Sequence, residues 1–295
     1  MAAEQGPPAI AGVRRSFVEA RGVRFHVTEA GSGVPVLALH GWPQHHYTYR
    51  DLLADPPAGM RIIVPDLPGY GWSGAAPHRW AKDDVASDLF ALMDALKIDE
   101  KVLLVGHDWG GFIGYRMILR EPERFRGFLV MNMAHPWVPT KDILRQSWRF
   151  LAYQPLVAGL GVPLQTRTRF LDRLFETAAK GENAFDAETV EIFAGRFRDP
   201  GVARTGTDTY RTFLLKEVPA SARNPETRRA TVPIRALFGK NDAAVHYSLA
   251  AAETARADDY TVDFVSRCGH FIVDERPELV RAKLVELAAE TGQRR

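Results

Sequence analysis

The sequence predicts an α/β fold, a mostly parallel sheet covered by helices on both faces, and two observations carry that prediction. Short runs rich in Val, Ile, Leu and Phe recur along the chain and end at Gly, Asp or a turn: VPVLALHG (34–41), RIIVPDLPG (61–69), KVLLVGHD (101–108), FRGFLVMNM (125–133), VPIRALFG (232–239) and YTVDFVS (260–266). Stretches of helical period alternate with them. Buried apolar strands alternating with helices are how a two-sided parallel sheet reads.

Taken in order, residues 14–20 and 23–29 form two strands around Arg21-Gly22, an opening hairpin. The segment Lys82 to Leu96 places Val85, Leu89, Leu92, Met93 and Leu96 close to a 3.6-residue period. A second helix starts at Trp109 and runs through Ile118, and a last one follows Pro277, a residue suited to a first helical turn. From His135 to Leu215 the alternation breaks. That stretch holds no good buried strand, many arginines, and helical spacing such as Phe170, Leu171, Leu174 and Phe175. It is expected to be a helical insertion, 135–215, in a sheet domain formed by 1–134 and 216–295.

Composition narrows the function classes. The chain has 295 residues, 46% hydrophobic and 25% charged, which is ordinary for a globular protein. A net charge of +2 gives no reason to expect nucleic acid or an acidic partner. One cysteine, Cys268, excludes an internal disulfide and fits a reducing compartment. The N-terminal MAAEQGPPAI has neither a basic nor an apolar signal region, and no apolar run approaches the ~18 residues of a membrane span. The expectation is a soluble, cytoplasmic protein with no membrane span. No His/Cys cluster has metal spacing, so neither metal nor cofactor is expected.

Four motifs carry chemistry, each just after a predicted strand. In Gly106-His107-Asp108-Trp109-Gly110-Gly111, small residues flank Asp108 as in a nucleophile elbow, a turn too tight for larger side chains. The other reading of Asp108 is a loop residue capping the helix that starts at Trp109. His40-Gly41-Trp42-Pro43 follows the strand Val36–Leu39, where a backbone N–H, that of Trp42, can pair with the N–H of Trp109 as an oxyanion hole. It also reads as a simple turn. Cys268-Gly269-His270-Phe271 puts a histidine on a late loop, the place of a general base. Gly239-Lys240-Asn241-Asp242 puts a carboxylate where it can orient that histidine, unless Asp242 is an ordinary turn residue. Of the other histidines, His40 and His107 read as structural neighbours, His26 and His78 as hairpin and loop residues, and His45, His46 and His246 as surface residues.

Gly41-Trp42-Pro43, Asp66-Leu67-Pro68-Gly69-Tyr70-Gly71-Trp72-Ser73, His107-Asp108-Trp109-Gly110-Gly111 and Gly269-His270-Phe271 together resemble the α/β-hydrolase epoxide hydrolases and haloalkane dehalogenases. The resemblance covers nearly the whole chain and implies the α/β-hydrolase fold, with the insertion as the family's helical cap. It implies Asp108 as nucleophile, forming an alkyl ester that a His270-activated water hydrolyses, with Asp242 behind His270. The Asp66 loop is structural in that family and is assigned no chemistry.

The two subfamilies differ in how they hold the leaving atom. An opening epoxide becomes an alkoxide and benefits from hydroxyl donors, whereas a halide needs only N–H donors. Epoxide hydrolases of this family carry two cap tyrosines for that purpose. The insertion contains two, Tyr153 and Tyr210, whose contexts resemble them, although both also suit aromatic packing. Haloalkane dehalogenases usually carry Asn where this chain has Trp42. Fluoroacetate-type enzymes place Arg beside the nucleophile, where this chain has Trp109. The expectation is therefore an epoxide hydrolase acting on a small apolar epoxide and water. A haloalkane or haloacid dehalogenase is the alternative, and a non-catalytic ligand-binding relative the more distant one. Phe112, Trp137 and Trp148 are expected to line the apolar pocket, and a homodimer is left open.

Overall fold

The computed structural model describes residues 6–139, 141, 148–180, 185–251 and 254–292. Eight strands form one sheet: β1 (Arg14–Ala20), β2 (Val23–Gly31), β3 (Val34–Leu39), β4 (Met60–Pro65), β5 (Val102–His107), β6 (Phe125–Met131), β7 (Ile234–Gly239) and β8 (Tyr260–Val265). Their spatial order is β1-β2-β4-β3-β5-β6-β7-β8. The β1–β2 hairpin and the β2–β4 pair are antiparallel, and every other pair is parallel.

The expected strands are all present, and the central ones are covered on both faces, whereas β1 and β8 at the sheet edges are not. Val36, Ala38, Ile62, Val64, Leu103, Val105, Leu129 and Met131 point to one face. There they meet Leu52 and Leu53 of α1 (Arg50–Ala54) and Val280, Leu284 and Leu287 of the C-terminal helix, Pro277–Gly292. Leu37, Leu39, Ile63, Leu104, Phe128 and Val130 point to the other. That face is covered by Val85 and Leu89 of α2 (Lys82–Ala95) and Ile113 and Met117 of α3 (Trp109–Arg120). Successive strand residues alternate between the faces, so both parities must be apolar.

Several strands stop earlier than their apolar runs do, and at β5 and β6 the cause is local. Asp108 (φ 49°) and Asn132 (φ 47°) turn the backbone into the left-handed region right after β5 and β6. The chain therefore leaves the sheet along its carboxyl edge, where α/β sheets gather their ligand-binding loops.

Between β6 and β7 the described chain is helical: α4 (Trp148–Arg167), α5 (Phe170–Ala178), α6 (Ala187–Arg196), α7 (Pro200–Thr212), a π-helical turn (Phe213–Glu217) and α8 (Val218–Arg223). Side-chain caps set two of the starts. Asp186 accepts from the Thr189 N–H at 2.7 Å, and Asp199 accepts from the Gly201 N–H at 2.7 Å with Pro200 in the first turn. No described helix is long and apolar enough to cross a membrane.

His45 and His46, expected at the surface, are fully buried. His46 begins a 3-10 turn, His46–Tyr49, beneath the Asp66 loop. His45 bonds the Ile192 carbonyl (3.3 Å), and Asp66 explains the burial of His46. Its carboxylate is bonded to His26 Nδ1 (2.8 Å) and His46 Nδ1 (2.9 Å), and it accepts from the backbone N–H groups of His46 (2.7 Å) and Trp72 (3.0 Å). Burial alone would raise its pKa, but the two histidines hold it well below the usual carboxylate value.

Candidate active site

The carboxyl edge places Asp108 at the first turn of α3, with φ 49° and ψ −124°. The turn needs glycine around it. A Cβ on Gly110 would lie 2.2 Å from the Leu39 carbonyl oxygen, and one on Gly106 would lie 2.7 Å from the Gly110 carbonyl oxygen. β3 and β5 are adjacent parallel strands, so the loop after β3 arrives beside Asp108. The Trp42 N–H donates to Asp108 Oδ2 at 2.9 Å.

The loops after β7 and β8 bring the other two residues. His270 Nε2 lies 3.7 Å from Asp108 Oδ1, and His270 Nδ1 lies 2.9 Å from Asp242 Oδ2. Asp242 is fixed from the opposite side. Its Oδ1 accepts from the N–H groups of Ala244 (2.7 Å) and Val245 (3.0 Å), and its Oδ2 accepts from Asn132 Nδ2 (2.7 Å). Asn132 also donates to the Gly269 carbonyl at 2.9 Å, tying the acid to the histidine loop. That loop has a second anchor. Glu275 accepts from the N–H groups of Gly269 (2.7 Å) and Phe271 (3.1 Å), one on each side of His270. Asn132 and Glu275 were not anticipated from sequence. The one signal for Asn132 is a polar residue closing an apolar strand.

The electrostatics follow from burial. Burial raises Asp108 to about 6, against the pull of His270 and of the Trp109 and Trp42 N–H groups. For His270, burial opposes the charge, but Asp242 and Asp108 outweigh it and raise the imidazole to about 9. The resting pair near neutrality is thus a carboxylate beside an imidazolium. His40 and His107 are neutral neighbours. Burial lowers them to about 4 and about 3. His40 accepts from the Leu67 N–H at 2.9 Å, and His107 bonds the His270 carbonyl at 2.7 Å, so both hold loops rather than protons in transit.

Tyr153 of α4 and Tyr210 of α7 both lie within the field of the Asp108 carboxylate. Their hydroxyl oxygens are 3.4 Å apart. Burial raises both phenols above their ordinary value, and the charge of Asp108 adds to the effect. The Trp42 indole stacks on Tyr153 (centroids 6.0 Å, 9°) and meets Tyr210 edge-on (5.1 Å, 89°). Its Nε1 donates to Gln165 of α4 at 3.1 Å. Trp42 therefore touches the elbow through its backbone and the helical insertion through its ring.

The expected pocket residues divide. Phe112 and Trp137 line a cavity of about 820 Å³ together with Trp109 and Phe213, but Asp108, His270 and the two tyrosines are not on its wall. The Trp148 side chain lies outside the described residues. Lys82 was not anticipated either. It is buried on the same wall, its ammonium 4.4 Å from the Trp109 ring centre and bonded to Glu217 (2.6 Å) and the Thr209 carbonyl (2.9 Å). Among the described residues the only His/Cys/Asp/Glu group close enough to hold a metal is His26, His46 and Asp66, whose facing atoms are already hydrogen-bonded to one another.

Known proteins agree with this architecture. Residues 34–277 match the family model described as the alpha/beta hydrolase fold. The chain is 28% identical to human epoxide hydrolase 4 over 275 residues, covering 88% of this chain and 74% of that protein. It is 25% identical to a cis-3-alkyl-4-alkyloxetan-2-one decarboxylase of Shewanella oneidensis, covering 94% and 89%. Among solved structures, the epoxide hydrolase CorEH superposes with a TM-score of 0.73 at 24% identity, covering 94% of this chain and 99% of that one. With a two-sided parallel sheet, an elbow after β5 and a family match spanning most of its length, the chain belongs to the α/β-hydrolase family.

Proposed function

We propose that this hydrolase opens epoxides to vicinal diols through an ester on Asp108. The observation that carries the reading is the pair of hydroxyls of Tyr153 and Tyr210, 3.4 Å apart and within the field of the Asp108 carboxylate. Two converging O–H donors suit an oxygen that gains negative charge while it leaves carbon. The residues 135–215 then act as a cap that supplies those donors. The similarity to human epoxide hydrolase 4 supports the same chemistry.

In the first half-reaction, Asp108 attacks a ring carbon and the carbon–oxygen bond breaks. The leaving oxygen takes a proton from one phenol while the other steadies it. Ester formation removes the negative charge of Asp108, and with it part of what holds the His270 proton. His270 gives its Nε2 proton to the phenolate left by ring opening, and the neutral imidazole then accepts a proton from water. The hydroxide attacks the ester carbonyl carbon, and the N–H groups of Trp42 and Trp109 hold the oxyanion. The ester bond then breaks, the Asp108 carboxylic acid so formed protonates the leaving alkoxide, and the diol departs, restoring the carboxylate beside the imidazolium. Asp242 fixes the imidazole and balances its charge.

The test is single-turnover alkylation of Asp108, read by intact-protein mass spectrometry, with an aryl epoxide, an alkyl epoxide, a haloalkane, fluoroacetate and an alkyl oxetan-2-one. Alkylation by an epoxide in the wild type, falling in part in Tyr153→Phe and Tyr210→Phe and by ~10²–10⁴-fold in the double variant, is the expected result. A double variant that still alkylates at the wild-type rate removes the tyrosines from the mechanism. It also removes the reason for preferring epoxides to halides.

A further inference from the structure

The cavity of about 820 Å³ adjoins the reacting groups across a single residue. Trp109 gives its backbone N–H to the Asp108 side and its ring to the cavity wall. Phe213 packs on that ring (centroids 4.9 Å) and lines the same cavity. The charged groups around the cavity largely answer one another. Lys82 pairs with Glu217 at 2.6 Å, and Arg116 bonds Asp83 at 2.6 Å and Glu226 at 2.7 Å. Arg256 donates to the Thr227 carbonyl at 2.9 Å.

The Trp109 indole N–H and the Gln154 side chain on that wall are buried without hydrogen-bond partners, and of the two only Gln154 offers both a donor and an acceptor. Gln154, the residue after Tyr153, is fully buried, and neither its Oε1 nor its Nε2 has a hydrogen-bond partner. A buried primary amide without partners is destabilising, and its two groups ask for different things. Oε1 needs a donor and Nε2 needs an acceptor. Water can serve each separately, but a carboxamide offers both in one plane. A carboxylate offers acceptors only and would bring a charge to a wall whose own charges are largely neutralised. An alkyl chain offers neither.

We infer that this cavity is the site for the distal arm of the substrate, and that Gln154 selects an apolar arm ending in a neutral carboxamide. The inference rests on the epoxide reading for the reactive end, and it adds what the far end carries. Trp109, Phe112, Trp137 and Phe213 supply the apolar wall for the chain, and Gln154 supplies the paired donor and acceptor.

The experiment compares 7,8-epoxyoctanamide, 7,8-epoxyoctanoate and 1,2-epoxyoctane as substrates of the wild type and of Gln154→Leu. Leu keeps the volume and removes both polar atoms. The expected result is a kcat/KM ratio of amide to alkane that falls roughly tenfold or more in the variant, the worth of the hydrogen bonds lost. The amide should also be preferred to the carboxylate in the wild type. A ratio that does not change in the variant, or a wild-type preference for the carboxylate, overturns the inference while leaving the epoxide reading intact. If none of the three is opened, the epoxide reading has failed, and binding of octanamide decides the inference separately. Octanamide binding, followed by the fluorescence of the tryptophans on the cavity wall, should weaken about tenfold in Gln154→Leu. Absent binding, or equal affinity in the two proteins, would sink it.

Discussion

In the proposed mechanism Asp108 has to be an anion to attack, yet burial brings its pKa up to about 6, within reach of assay pH. The fraction of attacking anion therefore falls as pH drops through about 6, and the rate of alkylation should fall with it. Single-turnover alkylation against pH should show an acid limb near that value, and a flat profile down to pH 4 would contradict the buried-carboxylate picture. His270 acts in the second half, so His270→Gln should slow hydrolysis of the ester far more than its formation. Mass spectrometry should find the adduct accumulating on Asp108, and a folded variant that alkylates without accumulating adduct would remove His270 from the role of base. That these two residues would be brought together was legible in the sequence because their neighbours are distinctive. Glycines mark the elbow, and Gly269-His270-Phe271 stands alone after the last strand. Asn132 and Glu275 were not legible, because their work is done by contacts to loops that only the folded sheet brings near. His45 and His46 were misread for the same reason: a polar stretch looks exposed until distant groups, the Ile192 carbonyl for His45 and the Asp66 carboxylate for His46, are brought in to bond it.

The element that matters most is the β5–α3 turn. It works by bringing backbones closer than any side chain allows, so Gly110→Ala should be costly although it adds one carbon. The new Cβ would meet the Leu39 carbonyl oxygen at 2.2 Å, and the strand that carries Trp42 would have to move. The expected loss is about 1–3 kcal/mol of unfolding free energy, the usual range for overpacking. Turnover should fall as well, because the Trp42 N–H follows its strand. Gly159→Ala is the matched control. It lies inside α4 with no atom within 4 Å of its would-be Cβ, so it should be neutral or stabilising by up to about 1 kcal/mol. Urea unfolding of the two variants checks both, and equal stabilities would refute the close approach. The central strands were readable from sequence because burial on both faces leaves continuous apolar runs, whereas α1 and the turn His46–Tyr49 are too short to show a period. The helices between β6 and β7 were readable mainly through the absence of such runs.

Across the whole molecule, Lys82 and Glu217 join the start of α2 to the π-helical turn that follows α7. Glu217 accepts from both the Lys82 N–H (2.9 Å) and its ammonium (2.6 Å). Burial lowers the Lys82 pKa, and Glu217 works against that. Glu217→Gln leaves the buried ammonium without its counter-charge and should cost roughly 3 kcal/mol at pH 7. The pH dependence has a definite sign. The lysine pKa falls further in the folded variant, so the penalty applies below the unfolded value of about 10.4 and fades as pH rises toward it. Urea unfolding at pH 7 and pH 10 would test this, and a penalty that persists at pH 10 would point to packing instead. The sheet itself sets a timetable for folding. β6 and β7 lie side by side, with Phe128 opposite Ile234, yet about a hundred residues of chain separate them, and closing so long a loop is entropically unfavourable. As the chain leaves the ribosome, β1 to β6 and the elbow can assemble first. Asp242 and His270 arrive only after the entire helical excursion has been synthesised. Under the proposed mechanism, a nascent chain therefore carries its nucleophile through more than half of translation with no base beside it, and reactivity appears only when the last strands close.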